Sequence, residues 1–421
     1  MKVAIFVDQF PVRSQTFVLN QIIGLIDLGC DITIISLHKG DGTLLADIAQ
    51  YNLDEKTHYL LDEPKTKYKQ FFYRIGCLCK CIITPSRFPV IFASLDKNYG
   101  RQGKSLLLAA IAAKLPNVLN FDVAVCHFGY NGILANKLKR LGLIQSKIAT
   151  IFHGHEISDT KSLSRYSNDY HKLFKETELL LPISELWKDK LVKLGCPLNK
   201  IYVQRMGINL EKFSYKGNID RKRLTHETHE SCSPALLKIY TVARFTDKKG
   251  LKYAIQSLTH LPKGIKVHYD LAGYGELETE LKLLVRQLGL ADVVHFVGAC
   301  SSTQVADFMR KADVYLQPSI TASDGDMEGV PVTLMEAMAI GVPVVSTFHS
   351  GIPELIENEV HGLLVPEKDP QAIAEKLTLI YNNKENVVEQ LVRNARDRVE
   401  FMADNHTLNQ NLRDILYQLS C

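Results

Sequence analysis

Short β-prone runs alternate with helical patterns along this whole chain, and that alternation constrains its fold more than any other feature. The first half reads KVAIFVD, DITIISL, DVAVCHF, KIATIFHG, LLLPIS and KIYVQRMG. The second reads KIYTVARF, KVHYDLAGYG, VVHFVGA, ADVYLQPS, VPVVSTF and GLLVP, with amphipathic stretches such as Leu251 to Leu258 and Leu277 to Leu288 between runs. Near-continuous apolar strands joined by helices make parallel sheets covered on both faces. A chain of 421 residues exceeds one ordinary core, so the expectation is α/β architecture with two doubly wound domains. Residues 215 to 235 are polar and aperiodic and read as the linker. Asn405 to Leu419 reads as a closing helix.

A hydrophobic content of 46% with 23% charged residues is ordinary for a globular enzyme, and a net charge of +4 is too mild to suggest nucleic acid. Nine cysteines, an odd number spread over a long chain, fit reduced thiols and a cytoplasmic setting. Cys77, Cys79 and Cys81 lack the paired spacing of a zinc site, so no metal is implied. Val3 to Val7 is too short for a signal-peptide core and reads as a first strand. No run is long enough to cross a bilayer, which leaves peripheral membrane contact.

One segment, SDGDMEGVPVTLMEAMAIGVPVVS, raises a chemical question. Pro331 suits a first helical position and Gly341 the left-handed residue past the end, which bounds a helix from Pro331 to Ile340. It is apolar on almost every side and so belongs in a core, yet it carries Glu336. A buried carboxylate costs several kcal/mol unless something hydrogen-bonds it. One reading is a structural bond to a neighbouring loop; the other is a ligand's hydroxyls.

Ligands of open parallel sheets gather outside the carboxyl ends of strands, so the residues just after each strand carry the ligand reading. After KIYTVA come Arg244, Lys248 and Lys249, an anion-binding set beside a helix start. After KVHYDLA come Gly273 and Gly275, which would let backbone approach a ligand. After ADVYLQPS come Asp324, Asp326 and Glu328. Glu328 and Glu336 are separated by roughly 10 Å along the helix direction, too far to share a proton. They can instead grip the two ends of one elongated ligand, a sugar at Glu328 and a ribose at Glu336, with a diphosphate between them at the amides of Gly329 and Val330. A nucleotide sugar has that order of parts.

EGVPVTLME resembles the E-x7-E motif of the retaining glycosyltransferases of family 4, which have the GT-B fold. ARFTDKKG is similar to that family's phosphate-binding Arg and Lys, LAGYGE to its Gly-rich loop, VHFVGA to the strand beside the base, and FHGHE to its N-domain histidine. The resemblance implies two Rossmann-like domains facing across a cleft: residues 1–206 for the acceptor and 207–401 for the nucleotide sugar, with a last helix, 402–421, packing back on the first. It implies Arg244 and Lys249 on the diphosphate, Glu328 on the sugar and Glu336 on the ribose. Val297, Leu334 and the two glycines Gly273 and Gly275 join Gly329 and Val330 in the nucleotide set, and His153 lies near the transferred sugar. Without the resemblance His153 reads as a core histidine. His127 shares its location without an assigned role, and Asp326 reads as a sugar contact or a solvated turn. Many relatives have a Gly-Gly loop after the first strand; here the sequence is DQFPVRSQTFVLNQI, with Ser14 as the expected helix cap. That stretch resembles the start of bacterial exopolysaccharide enzymes of the colanic acid and amylovoran type.

The family mechanism is front-face substitution, in which the leaving phosphate takes the acceptor's proton while the protein positions the partners and stabilises charge. No cofactor is expected, and no metal. UDP is the preferred nucleotide. The competing readings are a GT-B sugar-nucleotide epimerase, which needs acid and base residues that the motif does not supply, and a non-catalytic nucleotide-sugar sensor. Residues 65 to 104 carry nine Lys or Arg against one acid, Asp96, interleaved with Phe71, Phe72 and Ile75. Such a stretch can lie on an anionic bilayer, or it can be a solvated helix face. The expected partners are a nucleotide-sugar donor, a polyprenyl diphosphate-linked oligosaccharide acceptor and the inner-membrane surface, with a cytoplasmic, peripheral location.

Overall fold

The computed structural model describes residues 1–41, 46–64, 66–115, 118–215, 236–382 and 387–421. The chain forms two six-stranded parallel sheets. The first contains β1 (Lys2–Phe10), β2 (Asp31–Lys39), β3 (Thr57–Tyr59), β4 (Leu119–His127), β5 (Ile144–Phe152) and β6 (Leu179–Pro182), in the order β3-β2-β1-β4-β5-β6. The second contains β7 (Leu236–Val242), β8 (Lys266–Ala272), β9 (Val294–Gly298), β10 (Val314–Gln317), β11 (Val344–Thr347) and β12 (Leu363–Val365), in the order β12-β11-β10-β7-β8-β9. Both are doubly wound, as the apolar runs require. In β1, Val3, Ile5 and Val7 enter one core while Ala4 and Phe6 enter the core on the other face. The linker assigned to 215–235 lies, from 216 on, outside the described residues.

Three local expectations fail for physical reasons. KIYVQRMG is no regular strand: Ile201 bridges Leu180, and the amides of Tyr202 and Gln204 donate to the Leu180 and Pro182 carbonyls at 3.1 and 2.9 Å, so the run follows the edge of β6 only as far as Gln204. Pro331 is the cap of the helix Val332–Ile340 rather than its first residue, with an extended ψ of 118°. The helix Thr16–Asp27 is capped by Gln15 with no side-chain bond, so Ser14 does not serve.

The helix Asn405–Ser420 returns to the first domain, where Leu412 and Leu416 enter the same core as Ile22 and Leu25 of Thr16–Asp27. Gly24 makes that approach possible, since a Cβ there would lie 1.9 Å from Asn409 Nδ2.

Between β3 and β4 the basic stretch folds as the helix Lys67–Ile82 followed by short turns and helices. Cys77 and Cys81 face inward, while Tyr68, Phe71, Phe72, Ile82, Ile83, Phe88, Phe92 and Leu95 are exposed. Arg74 departs from its expected role. It pairs with buried Glu63 at 2.7 Å and donates to the Ser105 carbonyl, so it ties the insertion together instead of facing outward. Lys65 lies outside the described residues. Among the described residues, no helix is long and apolar enough to cross a membrane.

Candidate active site

In the second sheet the chain order reverses between β7 and β10, and the crevice outside their carboxyl ends is where such a sheet can take a ligand. The loop after β7 carries Arg244, Lys248 and Lys249, and the loop after β10 carries Asp324 to Gly329. Gly250 lets the two meet. It sits at φ +63°, and a Cβ there would lie 1.9 Å from the Pro318 carbonyl. Lys249 Nζ lies 3.0 Å from Glu328 Oε1, and Lys248 Nζ lies 3.0 Å from Asp326 Oδ2. Burial pushes the Lys249 ammonium down against the pull of Glu328. For Glu328, burial pushes the carboxyl up, but Lys249 and Lys248 outweigh it and hold it below its ordinary value, so it stays ionised. Arg244 is exposed and makes no ion pair among the described residues.

Glu328 is held through its backbone as well. Its amide donates to His349 Nε2 at 3.1 Å, and its carbonyl accepts from Ser350 Oγ at 2.5 Å. Because His349 Nε2 accepts, Nδ1 carries the proton, which it gives to Glu367 Oε1 at 2.6 Å; Glu367 Oε2 accepts from the Thr321 amide at 2.9 Å. The loops after β10, β11 and β12 are thus locked around Glu328. Sequence reasoning missed His349, Ser350 and Glu367. Their one visible signal was position, each lying just past a strand end.

Half-buried Glu336 has no hydrogen-bond partner among the described residues, and burial raises its carboxyl to about 8. Among the described residues, no structural bond to a neighbouring loop holds it. Its neighbour on the helix face, Thr333, donates to Gln317 Oε1 at 2.7 Å. The amides of Gly329 and Val330 have no acceptor among the described residues. Leu334 corrects the expectation: its side chain is wholly buried in the core and its amide donates to the Pro331 carbonyl at 3.1 Å, so neither reaches a ligand. Gly273 and Gly275 also serve the chain's own packing. Their missing Cβ atoms make room for chain, since a Cβ would lie 1.8 Å from the Ala243 carbonyl at Gly273 and 2.6 Å from Phe245 backbone at Gly275. They shape the Arg244 loop. Val297 sits half-buried on β9, packed against the core that holds the Val332–Ile340 helix.

From the first domain, the backbone of His153 meets this loop, because a Cβ on Gly329 would lie 2.7 Å from the His153 carbonyl. The ring is buried between Phe17 and Phe128, with centroids 4.7 and 4.5 Å away. Phe128 is held at φ +69°, a conformation that costs a non-glycine residue about 1–3 kcal/mol. Further ties cross the cleft. Thr160 N donates to the Asp324 carbonyl at 3.1 Å, Met327 N to Ser158 Oγ at 3.2 Å, and His155 Nδ1 lies 2.9 Å from Asp326 Oδ1. Asp326 is thus committed to His155 and Lys248 and is neither a free sugar contact nor a solvated turn. The Glu354 carboxylate accepts from the amides of Glu185 and Leu186 at 2.9 and 2.8 Å, capping a first-domain helix from the second domain.

Comparison with known proteins fits this geometry. The family described as "Glycosyl transferases group 1" matches residues 235–398, which hold the whole second-domain site. Over their full lengths, the amylovoran biosynthesis glycosyltransferase AmsK of Erwinia amylovora is 43% identical to the chain. The WcaL protein of Escherichia coli (strain K12), described as a colanic acid biosynthesis glycosyltransferase, is 40% identical, also over the full length of both. Among solved structures, Anabaena Alr3699/HepE in complex with UDP and glucose superposes with a TM-score of 0.69 at 17% identity, covering 99% of this chain and 100% of that one.

Proposed function

Because this chain belongs to the group 1 glycosyltransferases and has their GT-B fold, we propose that it moves a sugar from a nucleotide sugar to a lipid-linked oligosaccharide, with retention of anomeric configuration. The relatives named for amylovoran and colanic acid support a role in assembling an exopolysaccharide or O-antigen repeat. The observation that carries the reading is the meeting of Arg244, Lys249, Glu328 and the two loop amides of Gly329 and Val330, just ahead of the Val332–Ile340 helix, at the β7/β10 crevice, opposite His153.

In this scheme Arg244, Lys249 and the amides of Gly329 and Val330 take the diphosphate. Glu336 accepts from the ribose hydroxyls, Glu328 from the sugar's hydroxyls, and the base lies along Val297. The acceptor hydroxyl attacks the anomeric carbon on the face from which the diphosphate leaves. As the carbon–phosphate oxygen bond breaks, the hydroxyl proton passes to a phosphate oxygen. Engagement of Glu328 by Lys249, and of Asp326 by His155 and Lys248, supports this route, because neither carboxylate is left free as a base. The cations carry the charge of the leaving group without a divalent ion.

The proposed acceptor is polyprenyl diphosphate-linked, which sets the enzyme peripherally on the inner face of the membrane. Exposed Phe71, Phe72, Ile83, Phe88, Phe92 and Leu95 among lysines support that placement. A thermal-shift screen of UDP-, GDP-, ADP- and dTDP-sugars tests the donor, with UDP-sugars expected to stabilise the protein. NMR of the product bond then tests retention. An inverted centre would refute the front-face route, and loss of activity in EDTA restored by magnesium would refute the metal-free one.

A further inference from the structure

The carboxyl ends of β4 and β5 place two histidines side by side, and the proposed mechanism uses only one. His127 Nδ1 lies 3.1 Å from His153 Nε2, and the ring planes are 14° apart. The outer nitrogens, His127 Nε2 and His153 Nδ1, have no partner among the described residues, and neither do Gln21 Oε1 and Asn409 Nδ2. All four residues line one small cavity, closed by Phe17 and by the 204–207 segment that crosses between the domains. About 20 Å³ of it is open to the centre of a water molecule, where about 10–15 Å³ suffices for one. A space of that size, polar on several sides, excludes a sugar or a nucleotide.

We infer that this cavity is a built water site and that its occupant, acting through His127, sets the tautomer of His153, which makes His127 a positioning residue. The proton count fixes the direction. Asn409 Nδ2 donates into the water. The water donates one proton to Gln21 Oε1, and the other needs an acceptor, which His127 Nε2 provides. His127 then carries its proton on Nδ1 and donates it to His153 Nε2, so His153 keeps its proton on Nδ1. With the opposite tautomer His127 Nε2 would also donate into the water, and one of the water's protons would lose its acceptor. His153 Nδ1 cannot replace it, being on the far side of its ring from His127. Burial keeps both rings uncharged, His127 lowered to about 3 and His153 lowered well below its ordinary value by burial first and by His127 beside it, so one tautomer and not a charge is transmitted. Because Asn409 belongs to the returning helix Asn405–Ser420, the tail of the chain reaches the site through this water.

The test is ¹⁵N NMR of histidine-labelled protein, read through couplings to the ring protons and assigned with His127→Gln and His153→Gln. It requires no donor or acceptor, so it stands apart from the proposed activity; only the bearing of the tautomer on transfer rests on that reading. Both rings are expected as the Nδ1–H form, with His153 reverting to Nε2–H in His127→Gln. Asn409→Leu, which removes the donor to the water and leaves both histidines in place, should shift both toward Nε2–H. Should His127→Gln fail to fold, the wild-type and Asn409→Leu spectra decide. Nε2–H at His127 in the wild type, or unchanged rings in Asn409→Leu, overturns the inference. With a working donor, His127→Gln should lower turnover by about tenfold or more through the wrong tautomer while leaving the Kd for free nucleoside diphosphate unchanged. A purely structural role would move both.

Discussion

Lys249 Nζ lies 3.0 Å from Glu328 Oε1, so the cation proposed for the diphosphate and the carboxylate proposed for the sugar are partners in one buried pair. Removing either leaves the other as an uncompensated charge. Lys249→Ala should therefore cost more than its phosphate contact. Turnover is expected to fall at least a hundredfold, since one charge-stabilising donor is worth about 3 kcal/mol in a dry site. Glu328→Gln should keep nucleoside diphosphate affinity and lose sugar-dependent turnover. Steady-state kinetics with calorimetry separates the two, and full turnover in Lys249→Ala would remove the charge assignment.

Glu336 sets stability against binding. Its folded pKa of about 8 lies above the ordinary carboxyl value, so the folded state holds a proton that the unfolded chain releases near pH 4.5. Stability from this group is full below that value and is lost as pH rises through 8. Glu336→Gln should accordingly melt about 3 °C or more above wild type at pH 8 and near it at pH 4.5. If the ribose bonds to the carboxylate, UDP should bind the wild type several-fold tighter at pH 8.5 than at pH 6.5, with the pH dependence absent in the glutamine variant. A flat wild-type profile would remove the ribose assignment.

The His155–Asp326 tie across the cleft titrates in the other direction. The hydrogen bond to Asp326 raises the imidazole above its ordinary value. Its contribution is complete below about pH 6.5 and lost as pH rises through the raised value. Amide exchange at residues 323–328, corrected for intrinsic rate, should increase as pH passes from 6 to 8.5. In Asp326→Asn that dependence should vanish; its persistence would assign the opening to another group.

Membrane attachment and folding separate within the basic stretch. Replacing Lys67, Lys69 and Lys80 by glutamine should release the protein from anionic vesicles in flotation, most clearly as added salt shortens the Debye length below about 8 Å. Arg74→Ala should leave flotation intact in folded protein but lower the melting temperature, because it strips Glu63 of its buried partner at a cost of about 3–5 kcal/mol. Wild type that fails to float at low salt would make the aromatic face an ordinary surface.

What the sequence determined by itself was everything set by local pattern. Continuous apolar runs dictate strands buried on both faces, Gly341 ends its helix at φ +90°, and residues just past strands collect at one crevice because parallel strands all point the same way. Glu328, Lys249 and His153 were readable on those grounds together with the motif. Tertiary structure alone decided which groups meet. His349 and Glu367 lie just past two later strands, and only the sheet order brings His349 to the Glu328 amide with Glu367 behind it. Leu334 matches the motif but turns into the core, because position along a helix fixes direction only once the helix is docked. Gly273 and Gly275 show which backbone approaches which only when both loops are in place. Arg74 finds an acid outside its own charge run, and Asn409 comes to line the same cavity as His127 from a helix more than 280 residues further along the chain. Pairings of this kind depend on distances that close only when the two sheets and the returning helix have packed.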